Sequence, residues 1–207
     1  MPTTNTKRVI GFFVASAAAL AVLVPATLSY GMPTKPESIS NLDFASGGIL
    51  DINSQLDFAT NLDHDTLWKK ADVSTSDPST LNWASFESVD GGDEPWCTAD
   101  IWTSELGDAI TDLGEDREAT QKWMDSVFSD SAPNETKQEQ WAAFKTQTSG
   151  RTVDTLTVEN GVSFTTMRAS TRTHTGVTVN VTCQDDDELA KTLQNSVRLN
   201  TVITVSE

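Results

Sequence analysis

"TVDTLTVENGVSFTTMRAS", Thr152 to Ser170, decides how the second half of this chain folds. Polar and apolar residues alternate on both sides of Asn160-Gly161. A period of two sends successive side chains to opposite faces of a strand, and Asn-Gly tolerates the positive φ of a tight hairpin. The stretch therefore predicts two antiparallel strands. A turn near His174 to Gly176 then leads into "GVTVNVTC". There Val177, Val179, Val181 and Cys183 point one way, and Thr178, Asn180 and Thr182 the other. Cys183 lies on the apolar, core-facing side, and the opposite face is expected to be rich in Thr and Ser.

Four acids, Asp185 to Glu188, follow directly after Cys183. Beside a thiol they could form a cation site, or they could start a helix. Leu189, Leu193 and Val197 repeat at i, i+4 and i+8, so the acids fall in the first turn of an amphipathic helix running from about Asp186 to Val197. Negative charge there complements the exposed amides and the helix dipole, whereas adjacent side chains on a helix diverge and do not converge on a metal. The cap is favoured and no metal is expected. The chain closes with a strand in "RLNTVITVS".

Upstream the spacing predicts helices. Trp102, Leu106, Ala109, Ile110 and Leu113 share one helical face, and Gly114 supplies a left-handed stop. Ala119, Trp123 and Val127 predict a second helix from about Asp116. Thr136 and Glu139 have capping-box spacing, and with Trp141 and Phe144 they predict a third over about Asn134 to Thr148. "DVSTSDPSTLNW" is rich in turn residues and predicts no element. The expected fold class is α+β: an antiparallel sheet of about four strands with helices packed on one face, and one disulfide.

The N-terminus carries an address. Val9 to Val24 contains no charge, follows Lys7 and Arg8, and ends at Pro25 and small residues, the layout of an export signal. Extended through Leu28, the run is also long enough for an anchoring helix, with cleavage favoured over retention. Positive charge on the short N-terminal side would place the rest outside the cytoplasm. The expected organisation is a signal sequence or signal-anchor over residues 1–31, a stalk or loosely packed arm over 32–66, and an extracytoplasmic domain over 67–207. In that oxidising compartment Cys97 and Cys183, the only two cysteines, are expected to pair.

The formal net charge is −16. So acidic a surface repels phosphate backbones, which excludes a nucleic-acid partner and leaves a cationic or cell-envelope partner in play. The membrane is engaged only through the N-terminal segment if that is retained. No "GxSxG", "HExxH", P-loop or "CxxC" pattern is present, and His64 and His174 are the only imidazoles. No catalytic residue is assigned, no cofactor is expected, and a non-catalytic binding domain is favoured over a hydrolase using acidic residues or a structural spacer. Asn61, Asp63, Asp65 and Asp72 occupy four oxygen-ligand positions of a calcium loop, but Thr66 stands where the sharp turn needs Gly. Asn134 and Asn180 head glycosylation sequons. Of the six tryptophans, Trp68, Trp83 and Trp96 lie in the least regular sequence. With Asp90, Asp93 and Glu94 they are the candidate binding surface.

Overall fold

The computed structural model describes residues 55–89, 94–128, 138–146 and 152–206. The N-terminal segment, Asp90, Asp93 and the Asn134 sequon lie outside the described residues. In chain order the strands are β1 (Gln55–Thr60), β2 (Trp68–Lys70), β3 (Thr80–Ser88), β4 (Cys97–Glu105), β5 (Gln138–Lys145), β6 (Thr152–Glu159), β7 (Ser163–Ser170), β8 (Thr175–Cys183) and β9 (Thr201–Ser206). The helices are α1 (Asp108–Thr111), α2 (Asp116–Phe128) and α3 (Glu188–Asn200).

Seven strands form one antiparallel sheet in the order β2-β3-β4-β8-β7-β6-β5, and β1 pairs with β9 in a second, two-stranded sheet. This corrects the expected sheet of about four strands. Two segments expected to be helical are strands. Cys97–Glu105 is zipped between β3 and β8, and Gln138–Lys145 pairs along its whole length with β6. The end of the stretch expected to be turn-rich, residues 80–83, opens a further strand, Thr80–Ser88. The local helical spacing loses because the interior of β4 also alternates. Cys97, Ala99, Ile101 and Thr103 are buried while Thr98, Asp100 and Trp102 are half-buried. Long-range pairing on both edges gives that strand its backbone ladders and buries its apolar side at once.

Helices lie on both faces of the main sheet, not on one. On β7, Phe164 points to the face where Val179 and Val181 of β8 meet Ala190, Leu193 and Val197 of α3. Met167 and Ala169 point to the other face. There Met167 joins Met124 of α2, Leu156 and Val158, and Ala169 joins Ala119 and Leu106. Gly176 lets α2 approach, since a Cβ there would sit 2.4 Å from the Trp123 ring. The expected hairpin is present with Gly161 at φ +89°, and Gly114 at φ +76° separates α1 from α2.

The packed fold begins before residue 67. Leu56 and Leu62 are both buried, β1 pairs with β9 over six positions, and Leu56 packs with Val153, Val177 and Ile203. Asp57 ties the two sheets together, its Oδ1 accepting from Asn82 Nδ2 and Thr103 Oγ1, each at 2.9 Å.

Cys97 and Cys183 are bonded to each other and stand directly opposite in the β4–β8 ladder, with Cα atoms 4.0 Å apart. The Cys97 N–H donates to Ser88 Oγ and the Cys183 N–H to Val162 O. Neither donates to the other, so this is a non-hydrogen-bonded pair, where facing side chains come closest.

Candidate functional site

The alternation that buries Ile101 turns Trp102 and Asp100 to the far side of β4. Register then places Trp83 of β3 opposite Trp102, and Ser85 of β3 and Asn180 of β8 on either side of Asp100. The indoles of Trp83 and Trp102 form a tilted pair with centroids 5.5 Å apart. Around them lie Thr98 and Glu87, with Thr165 beyond, whose hydroxyl donates to Asn180 Oδ1 at 2.8 Å. Lys69 holds Glu87 at 3.2 Å. Among the described residues no hydrogen bond or ion pair reaches the Asp100 carboxylate. Chemically this is an aromatic platform edged by a carboxylate, an amide and hydroxyls.

The expected surface residues separate. Trp68 is buried on the opposite side of the sheet, in the cluster with Leu62, Phe86 and Cys97. Trp96 is half-buried against that same cluster, and Glu94 is exposed. Trp83 alone among the three tryptophans belongs to the platform. Its partners Trp102 and Asp100 lie in a segment where the Trp102, Leu106 and Ile110 spacing also fits a helix, and the alternation of "CTADIWTSE" is the signal for them.

A second polar constellation lies inside the fold. Arg168 has no solvent exposure, and its Nη2 donates to Asp116 Oδ2 at 2.9 Å while Nη1 donates to Asp154 O at 3.0 Å. Asp116 Oδ1 also accepts from the backbone N–H and the hydroxyl of Thr171, at 2.8 and 2.9 Å. The Thr120 hydroxyl donates to Asp116 O and accepts from Ala169 N. The network fastens the first turn of α2 to β7. A sequence signal existed, because Arg168 is the lone charge in "SFTTMRAS", but its partner lies 52 residues away.

The acids after Cys183 start α3. Asp187 is the N-cap, its Oδ1 accepting from Ala190 N at 2.7 Å. The Glu188 carboxylate, by hydrogen bond and charge, with Asp186 adding to it, raises the Lys191 ammonium above its ordinary value. Asp65, from the loop resembling a calcium site, accepts from Ser196, Asn200 and Leu67 N, so it holds α3 to the chain before β2. Among the described residues no group of three or more His, Cys, Asp or Glu could hold a metal ion. His64 and His174 are both exposed, the latter in a turn at φ +56°. The sequon residue Asn180 is half-buried in β8.

No family model matches the sequence, and comparison with curated proteins finds no significant match.

Proposed function

We propose that this chain is an exported, extracytoplasmic binding domain that presents one face of its main sheet to a cationic or cell-envelope partner. The single observation carrying this reading is the Trp83–Trp102 pair beside Asp100. Aromatic rings with a polar edge are what binding surfaces concentrate, because they bury large area at low entropic cost and still orient a ligand. The disulfide supports export, since a bond of this kind persists outside the reducing cytoplasm. So does the charged, then apolar, N-terminal sequence, whose cleavage would release the domain and whose retention would anchor it.

The test is a pull-down from envelope extract at low and high salt, using wild type beside Trp83→Ala and Trp102→Ala. A binding domain retains a partner that both variants lose at an unchanged unfolding midpoint, and salt weakens that retention. Recovery of nothing, or of the same material by all three proteins, defeats the reading. N-terminal sequencing with membrane fractionation tests export, which a soluble cytoplasmic protein retaining Met1 would contradict.

A further inference from the structure

The inference rests on the binding reading above and names the chemical group that the face holds. In this chain a carboxylate and an aromatic ring already capture a guanidinium together. Arg198 lies 4.2 Å from the Phe164 ring centroid and its Nη2 donates to Glu159 Oε1. Arg117 lies 4.7 Å from the Trp141 centroid. The Trp83–Trp102 platform repeats the ingredients, half-buried, on the sheet face that α2 also packs against, with two indoles and, two residues along the same side of β4, the Asp100 carboxylate.

We propose that Asp100, Trp102 and Trp83 bind the guanidinium of an arginine in a basic segment of a partner protein. The planar cation lies on an indole face, where the ring quadrupole attracts it, and donates to both Asp100 oxygens. Asn180, half-buried and in register beside Asp100, adds a hydrogen-bonding group at the rim. Arginine fits better than lysine because its fork matches a carboxylate and its flat, weakly hydrated face stacks, whereas an ammonium does neither. Charge complementarity points the same way. The chain carries −16, so a basic segment is drawn toward it before any specific contact forms.

The experiment titrates the protein at 0.15 M salt, about one 8 Å screening length, with an Arg-Gly repeat peptide and a Lys-Gly peptide of equal charge, and also with a neutral chitin oligosaccharide. Tryptophan fluorescence and calorimetry read the binding. The Arg-Gly peptide is expected to bind roughly fivefold tighter than the Lys-Gly peptide, and Asp100→Asn to weaken it roughly tenfold. Asp112→Asn removes the same single charge from an exposed position after α1 and is expected to leave binding unchanged. Should Asp100→Asn fold poorly, Thr98→Lys places an ammonium beside the intact carboxylate and is expected to give the same loss. Equal losses from Asp100→Asn and Asp112→Asn overturn the proposal, because they signify diffuse attraction. Equal affinity for the two peptides also overturns it, as does binding of the oligosaccharide alone. Each of those results leaves the binding reading intact, which falls only on the envelope pull-down.

Discussion

Replacing Asp116 by alanine removes one carboxylate that does three jobs: it neutralises Arg168, accepts the Thr171 N–H and accepts the Thr171 hydroxyl. Arg168 has no solvent exposure, so the guanidinium that loses its counter-charge cannot turn to water. Breaking a buried pair from one side costs about 3–5 kcal/mol, a large part of the roughly 5–15 kcal/mol that holds a domain together. For a chain of this size that corresponds to a fall in Tm of roughly 6–20 °C. Arg168→Met is expected to cost less. Asp116 then keeps both Thr171 donors and stands in the first turn of α2, where the helix dipole favours negative charge. The double variant should therefore be more stable than the sum of the two losses implies, with a coupling of about 1.5 kcal/mol or more. Urea denaturation followed by tryptophan fluorescence measures all three. A loss below about 1 kcal/mol for Asp116→Ala, or simple additivity in the cycle, would refute the argument that burial makes this pair costly to break.

Gly176→Ala is expected to destabilise by about 1–3 kcal/mol, because the new methyl group meets the rigid Trp123 ring; Trp123→Leu in the same chain should recover part of it by calorimetry. Leu62→Ala should cost about 2–5 kcal/mol in the same denaturation assay, although it lies in a stretch that resembles an arm, and no measurable change would mean that this stretch does not contribute to the core. Replacing both cysteines by alanine frees a loop of 85 residues and should lower stability by about 4 kcal/mol, and non-reducing mass spectrometry of the native protein should find no free thiol.

Several elements were legible because one local rule and the tertiary structure agree. Asn160-Gly161 makes a hairpin wherever alternating strands flank it, and it does so here. The spacing of Leu189, Leu193 and Val197 and the Asp187 cap yield α3, and Asp116 opens α2. The disulfide followed from composition and from Cys183 sharing a face with three valines. Other segments carried two periods at once. Trp102, Leu106 and Ile110 satisfy a helix, while Cys97, Ala99 and Ile101 satisfy a strand. Propensity cannot choose between them, because each accounts for part of the same residues.

What the sequence determined by itself is therefore whatever a few neighbouring residues decide: the turn at Gly161, the acidic cap of α3, the net charge and the availability of two cysteines for pairing. The tertiary structure decided the rest. Cys97–Glu105 became an interior strand because β8, some eighty residues later in the chain, offered a matching ladder and a valine face. Gln138–Lys145 became an edge strand because β6 lay beside it in register, overriding a helical cap signal. The platform of Trp83, Trp102 and Asp100 exists only after that pairing, since residues on different strands share a face through register alone. Arg168 and Asp116 likewise became a pair because β7 and α2 pack together, and only that packing excludes water from the charge and makes its partner necessary.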